Sequence, residues 1–154
     1  MTQRPAAASV LSDDVLSGLL AGQRFGTLAT NKPSGHPHLT TMLYHWDPGT
    51  RVLRFSTTAD RVKVRHLRRD PRAALHVPGG DVMSFAVAEG EAEVSEVTAV
   101  PGDAVGRELL TVVPEEFWAA ANEQEFLERL VAERRVVVRL RVGRLYGTVL
   151  DANG

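Results

Sequence analysis

Three hydroxyl residues followed by basic residues form the part of the sequence best suited to chemistry. Ser56, Thr57 and Thr58 end a strand-like segment, and Arg61 and Lys63 open a basic, helix-like segment. Hydroxyl groups donate hydrogen bonds to phosphate oxygens, and the unpaired amides of a helix N-terminus add positive potential at the same place. Each charge-assisted hydrogen bond of this kind contributes roughly 1.5–3 kcal/mol. These five residues therefore predict a phosphate-binding site.

Lys63 differs from the neighbouring basic residues in its position on the predicted helix. At about 100° per residue, Arg61, Arg65 and Arg68 form an exposed stripe, whereas Lys63 projects toward the apolar side. Lys32 and Lys63 are the only lysines among 18 basic residues. A lysine near a buried face needs a partner. A bound phosphate would meet that need, and so would an internal carboxylate or an amine that reaches the surface.

Other polar clusters carry weaker signals. His36, His38 and His45 invite a metal site, but no carboxylate or thiolate stands at a convincing ligand spacing, so no metal is predicted. No nucleotide-binding glycine motif or nucleophile elbow is present, and no catalytic residue is assigned. The acidic residues between 89 and 96 are expected on a solvated strand face. The arginines of 134–142 could meet an anionic ligand or keep a sheet edge soluble.

Composition limits the class of protein. The chain has 154 residues, a formal charge of −1 and a pI near 6.5, which argue against a general nucleic-acid or anionic-membrane binder. It has no cysteine, so disulfides, thiol nucleophiles and thiolate metal sites are excluded. No apolar run approaches the roughly 20 residues of a membrane span, and no signal peptide is evident. We expect a cytoplasmic protein with a flexible tail over residues 1–10 and a single domain over 11–154.

Strands are the main elements that must position these residues. The pattern predicts a mainly β, α+β fold, namely an antiparallel barrel decorated with helices. Ser12 is expected to cap the first helix, Asp60 or Thr58 the basic helix, and Gly90 marks a bend or bulge. Strands are predicted at 25–30, 38–46, 52–57, 72–77, 84–94, 134–142 and 146–150, and helical structure at 103–133 with breaks near 114 and 122. In that helical region Phe117, Trp118, Phe126, Leu127 and Leu130 are expected in the core, with a lid or dimer contact as the alternative.

Five segments together resemble a known superfamily. They read FGTLAT, SGHPHLTTMLYHWD, RVLRFSTTADRVKVRHLRRDPRAALHV, FAVAEGEAEV and RRVVVRLRVGRLYG. In this order, and over roughly Leu11 to Leu150, the chain resembles the split β-barrel flavin and deazaflavin oxidoreductases that include pyridoxamine 5′-phosphate oxidase. Within that superfamily it is most similar to the short actinobacterial branch that uses the deazaflavin F420.

The resemblance implies an FMN-binding-like split barrel that forms homodimers, with a cofactor site in each cleft at the subunit interface. It implies that the ring system lies against the second strand, around Thr40, Thr41 and Met42. Main-chain groups there would bond the pyrimidine edge of the ring. The residues that match the family's phosphate ligands are Ser56, Thr57, Arg61 and Lys63.

Departures from the oxidase pattern favour the deazaflavin branch. Thr40 and His45 stand where the oxidase's second-strand motif has arginine and lysine, and Val62-Lys63 replaces an arginine–lysine pair. We therefore expect a reductase that transfers a hydride from reduced F420 to an unsaturated small molecule, with His45 as one possible source of the proton. An FMN-dependent oxidoreductase on the same scaffold and a non-catalytic F420 carrier are the alternatives.

Overall fold

The structure is a computed structural model that describes residues 8–81, 83–118, 120 and 122–150. In this part of the chain, strands form one antiparallel sheet and helices lie outside it. The strands are β1 (Ala8–Val10), β2 (Phe25–Asn31), β3 (Pro37–Leu43), β4 (His45–Asp47), β5 (Val52–Thr58), β6 (Arg72–Pro78), β7 (Phe85–Val94) and β8 (Arg135–Leu150). The helices are α1 (Asp13–Gly22), α2 (Val62–Arg69), α3 (Ala104–Val112) and α4 (Glu123–Ala132), with a short 3-10 helix at Glu115–Phe117.

The sheet curls so that its two edges meet at Tyr44. The strand order is β3-β2-β6-β7-β8-β5-β4, which places β3 and β4 at opposite ends of the sheet. Only Tyr44 separates these two strands in the chain, so the ends of the sheet come together at this residue. β1 pairs separately with the far end of β8. The expected mainly β, α+β split barrel is confirmed.

Alternating side chains build the barrel interior. In β5 the odd-numbered residues from Leu53 to Thr57 are buried and the even-numbered ones are partly exposed, the period-2 pattern of a strand with one face on the core. Helix α1 covers one end of the barrel through two bonds, from Tyr44 Oη to the Leu20 carbonyl (2.7 Å) and from Trp46 Nε1 to Ser17 Oγ (2.9 Å). A second apolar cluster lies under α3 and α4 and contains Val105, Leu109, Phe126, Leu127, Leu130 and Val137.

Several boundaries differ from those expected from the sequence. The strand expected at 38–46 is two strands, because the chain crosses between sheet edges at Tyr44. The strands expected at 134–142 and 146–150 are one strand, β8, which pairs with β7 along most of its length. The bulge at Gly90 is confirmed, since the register shifts there and a Cβ would collide with the carbonyl of Arg141. Residues 8–10, expected in a flexible tail, form β1, and residues 1–7 lie outside the described residues.

The helical region has the expected breaks, and Phe126, Leu127 and Leu130 are in the core as predicted. Trp118 stacks on Phe126 with ring centroids 5.4 Å apart, whereas Phe117 is 52% exposed. No helix in the described residues has the length and apolar character that a membrane span requires.

Candidate functional site

The barrel is split between β3 and β5. Residues of β4 pair with the start of β5, at His45↔Arg54, but no backbone pairing joins β3 to β5 in the described part of the chain. Continuing the β4–β5 register past His45 would set Leu43 opposite Ser56 and Thr41 opposite Thr58. The two strands diverge instead, which leaves a cleft bounded by two unpaired edges.

The main-chain groups that line the cleft can be identified from which residues of each strand are hydrogen-bonded to the neighbouring strand, the even-numbered or the odd-numbered ones. In β3, the Tyr44 N–H donates to the Arg24 carbonyl, and at the other end of the hairpin the Lys32 N–H donates to the carbonyl of His36. Because successive residues of an antiparallel strand direct their N–H and C=O groups to opposite sides, the even-numbered residues of β3 bond β2. The main-chain groups of Thr41 and Leu43 therefore face the cleft.

The same argument applies to β5. The Val142 N–H donates to the Arg51 carbonyl and the Ala59 N–H to the Arg134 carbonyl, so the odd-numbered residues of β5 bond β8. Ser56 thus directs its main-chain N–H and C=O into the cleft, and Thr58 its N–H, whereas the Thr58 carbonyl accepts a hydrogen bond from the Arg61 N–H. Unpaired backbone groups need partners from water or a ligand, and the cleft offers donors and acceptors from both edges.

Helix α2 begins at the end of β5 without a side-chain cap. The N-cap residue is Arg61, and no side chain accepts a hydrogen bond from the first amides of the helix. The expectation that Asp60 or Thr58 caps this helix is wrong, because the Thr58 hydroxyl hydrogen-bonds the Asp60 carboxyl instead and thereby lowers the pKa of that carboxyl. The N-terminal amides of α2 are available to an anion.

Three basic side chains converge beside this helix terminus. Lys63 is partly buried, and desolvation lowers the pKa of its ammonium group, with the neighbouring guanidinium groups of Arg61 and Arg135 lowering it further. No carboxylate lies within 4.0 Å of Lys63 in the described residues, so the ion pair considered from the sequence is not found there. Arg135 pairs with Glu133 at 2.8 Å, whereas Lys63 has no such close partner among the described residues. Burial of a charge near like charges is costly, and a bound anion would relieve that cost for Lys63.

The hydroxyl residues do not all face this cluster. Ser56 and Thr58 lie on the outer face of β5, and an open depression of about 670 Å³ is lined by Thr58, Arg61 and Glu133 among others. Thr57 is 3% exposed and points into the barrel. The Ser56 hydroxyl makes no side-chain hydrogen bond with the described residues, whereas that of Thr58 is engaged by Asp60. Ser56 is therefore the hydroxyl best placed to meet an anion.

The predicted ring residues lie along the free edge of β3. Thr41 is exposed, with its main chain facing the cleft. Met42 is 8% exposed and belongs to the barrel core. Thr40 also points inward, and its buried Oγ1 has no hydrogen-bond partner in the part of the chain that the structure describes. Of the three, Thr41 combines an exposed side chain with main-chain groups that reach the cleft.

An apolar pocket occupies the closed end of the cleft, where β3 and β5 meet under α3 and α4. Its volume is about 290 Å³. It is lined by Leu43, Ser56, Val112, Val113, Phe117, Phe126, Arg129, Leu130, Glu133 and Arg135. Glu133 lines both this pocket and the open depression beside Thr58 and Arg61, so the two adjoin each other, and we refer to them together as the groove.

The histidines considered for a metal site are dispersed. The ring of His38 packs edge-on against that of His66, with centroids 5.2 Å apart, and His66 Nδ1 lies 3.0 Å from Thr30 Oγ1. His45 lies on the outer face of β4, and its Nδ1 is buried without a hydrogen-bond partner among the described residues. In the described residues, no three histidine or acidic side chains are grouped so that they could hold a metal.

Two site residues, Arg135 and Leu43, were not singled out from the sequence. Arg135 belonged to a run of arginines with two possible roles, and the pairing Thr58↔Arg135 brings it near Lys63. By contrast Arg139 bonds Glu93 and Glu108 and serves the barrel surface. Leu43 was part of an unbroken predicted strand, and nothing in that pattern marked it as the point where the cleft closes.

A family comparison matches most of the chain. The family model described as pyridoxamine 5′-phosphate oxidase aligns with residues 12–147. The chain belongs to this family. The match agrees with the split barrel, and it extends from the N-cap of the first helix to Gly147 in β8.

Solved structures share this fold over most of the chain. A conserved hypothetical protein of Mycobacterium tuberculosis, Rv2991, is 26% identical, with 96% of this chain and 90% of that chain covered and a TM-score of 0.67. A protein described as an F420 reductase is 24% identical, with 84% and 94% covered and a TM-score of 0.58. An FAD-binding protein of Mesorhizobium loti is 16% identical, with 93% and 96% covered and a TM-score of 0.61. These likenesses show that the fold is shared over most of the chain.

Proposed function

We propose that this member of the pyridoxamine 5′-phosphate oxidase family is a cytoplasmic, F420-dependent reductase that transfers a hydride to an unsaturated small molecule. The observation that carries the proposal is the group of three cations, Arg61, Lys63 and Arg135, beside an uncapped helix terminus at the mouth of the split. A phosphate is the ligand group that such a site fits best.

The phosphate would be held by the α2 amides, the Lys63 ammonium group and the Ser56 hydroxyl, with Arg61 and Arg135 adding charge. Thr58 would contribute its main-chain N–H, while its carbonyl accepts a hydrogen bond from the Arg61 N–H and so fixes the turn before α2. Thr57, also proposed from the resemblance, contributes to the barrel interior rather than a direct contact, because its side chain faces away from the groove.

The ring system would lie on the free edge of β3. There the main-chain N–H and C=O of Thr41 can bond a heterocycle edge, while Thr40 and Met42 support the strand from inside the barrel. When bound, reduced F420 supplies the hydride, and the protein's task is to hold the ring and orient the acceptor. His45 is two residues beyond Leu43 on the same face, and its partnerless Nδ1 is our candidate proton carrier.

F420 is favoured over FMN by the chain's departures from the oxidase pattern at Thr40, His45 and Val62, and by the structural likeness to a protein described as an F420 reductase. FMN is the second candidate, because the matching family model is described as pyridoxamine 5′-phosphate oxidase and the superfamily that the sequence resembles includes flavin oxidoreductases. A carrier that binds F420 without turnover would use the same contacts.

We further propose a homodimer formed through the outer face of the sheet. Leu39 is 61% exposed and Tyr146 39%, and both border an apolar depression of about 400 Å³. Its remaining lining residues are Thr27, Ala29, Ala74, His76 and Val87. Exposed apolar surface of this kind marks interaction sites. Leu39→Asp should yield a monomer in light scattering. Val100→Asp, at an equally exposed apolar site away from this face, should leave a dimer. A dimer in the Leu39 variant as well as in the Val100 variant would refute this interface.

The cofactor is tested by titrating the purified protein with F420 and, separately, with FMN while following tryptophan fluorescence. Trp118 stacks on a pocket residue and should report ligand binding, whereas Trp46 lies in the barrel core. Saturable F420 binding with weak FMN binding supports the proposal. The reverse preference would assign the protein to the FMN group, and binding without single-turnover oxidation of reduced F420 by any acceptor would indicate a carrier.

A further inference from the structure

We infer that the apolar pocket at the closed end of the cleft is a binding site for a small, one-ring carboxylate, with Arg129 receiving the carboxylate. As a substrate site, this assignment rests on the proposed function. As a binding site it can be tested without the cofactor.

The pocket has the size of a single substituted ring. An engineered cavity of roughly 150 Å³ holds benzene, and the pocket measures about 290 Å³. With a deazaflavin ring on the edge of β3 at Thr41, the pocket would lie beside that ring. A one-ring molecule in the pocket would lie against Leu43, next to the deazaflavin ring.

The walls are suited to a flat, apolar body. Leu43 comes from β3, Val112 and Val113 come from the end of α3, and Phe126 and Leu130 come from α4. The Phe126 ring is held by Trp118, which stacks on it at 5.4 Å between centroids and donates its indole N–H to the Val113 carbonyl at 3.2 Å. A preformed aromatic wall binds planar ligands at low entropic cost.

The mouth of the pocket carries the charge. The Arg129 guanidinium lies 5.3 Å above the Phe126 ring, so it is held at the rim by the same aromatic wall. Arg135 is already engaged by Glu133, at 2.8 Å. Arg129 makes no ion pair or side-chain hydrogen bond with the described residues. An apolar pocket with one such cation at its rim complements a molecule with one apolar end and one anionic end.

The test is binding of cinnamate to the full-length protein without cofactor, followed by Trp118 fluorescence and calorimetry, with cinnamamide as the neutral isostere. We expect saturable binding of cinnamate. Because Arg129 is exposed, Arg129→Gln should weaken cinnamate binding only about two- to fivefold. It should leave cinnamamide binding unchanged. Arg68→Gln, on the exposed face of α2, is the matched control and should change neither.

A second variant covers the apolar end of the pocket. Val113→Phe should fill the cavity and abolish binding of both probes, with circular dichroism confirming the fold. No saturable binding of either probe to the wild-type protein would overturn the inference, and so would equal cinnamate affinity in the wild type and Arg129→Gln.

Competition with F420 separates this inference from the proposed function. Cinnamate should bind the F420-saturated protein as well as it binds the free protein. Displacement of cinnamate by F420 would assign the pocket to the ring and overturn the inference while the cofactor proposal stands. Cinnamate binding that depends on Arg129, in a protein that binds no F420, would support the pocket while the cofactor proposal fails.

Discussion

Replacing Lys63 with methionine should change cofactor affinity and protein stability in opposite directions. Methionine keeps the length and apolar stem of the lysine and removes its charge. The Lys63 ammonium group is partly buried, lies near Arg61 and Arg135, and has no carboxylate within 4.0 Å in the described residues. Its charge therefore weakens the free protein slightly and strengthens the complex with an anion.

The magnitude follows from the contacts that are lost. A charge-assisted hydrogen bond to a phosphate oxygen is worth roughly 1.5–3 kcal/mol, so the affinity for F420 should fall about ten- to hundredfold. The free energy of unfolding of the cofactor-free protein should stay the same or rise, by about 0.5 kcal/mol or less, because one like charge has been removed.

The assay pairs F420 titration by fluorescence with urea unfolding of the cofactor-free protein. Arg68→Met is the control, since Arg68 is exposed on the same helix and outside the groove. It should change affinity far less than the Lys63 variant. Loss of more than about 1 kcal/mol of stability in Lys63→Met would mean that the lysine has a carboxylate partner. Unchanged affinity in a folded Lys63 variant would refute its role at the phosphate.

Three further expectations follow from the site and its surroundings. Ser56→Ala should weaken F420 binding by about 1 kcal/mol, while Thr57→Val should leave affinity unchanged because that hydroxyl faces the barrel interior; calorimetry on the two variants would contradict this if their effects were reversed. A bound phosphate favours the charged form of Lys63, whose pKa is lowered from 10.5 in the free protein. The affinity for F420 should therefore be greatest below the lowered pKa and fall as pH rises through it. This pH dependence should vanish in Lys63→Arg, and an F420 affinity that does not change with pH in the wild type would count against a role of the lysine. Desolvation is the main cause that lowers the pKa of buried His66 below 6.5, so on acidification the unfolded chain takes up the proton first. The contribution of His66 to the free energy of unfolding should therefore be fully present above pH 6.5 and decline below it. The urea midpoints of the wild type and His66→Gln should converge in acid, and a constant difference between the two midpoints across pH would exclude the histidine as a cause.

Sequence patterns identified most elements because each pattern depends on local geometry. The buried alternation of β5, the apolar stripe of α1 with its Ser12 cap, and the end of α2 before Pro71 all follow from residues within a few positions of each other. The bulge at Gly90 was also foreseeable, because a glycine inside a strand commonly marks such a site.

Long-range pairing was not visible in the same way. The chain turn at Tyr44 that separates β3 from β4 occurs inside a run of residues with unbroken strand character. Residues 135–150 likewise form one continuous strand because they pair with β7, and the bulge at Gly90 keeps β7 and β8 in register. In both cases the neighbouring strand, and not the local sequence, sets the boundary.

By itself, the sequence determined that a hydroxyl-ended strand runs into a basic helix and that Lys63 stands apart from the exposed arginines. It could not determine which hydroxyl meets a ligand, because that depends on which face of β5 points into the barrel. Tertiary structure alone brings Arg135 beside Lys63 and leaves the edges of β3 and β5 unpaired. The physical reason is that a cleft between two strands exists only once the curled sheet has fixed where pairing stops, and this depends on contacts between residues far apart in the chain.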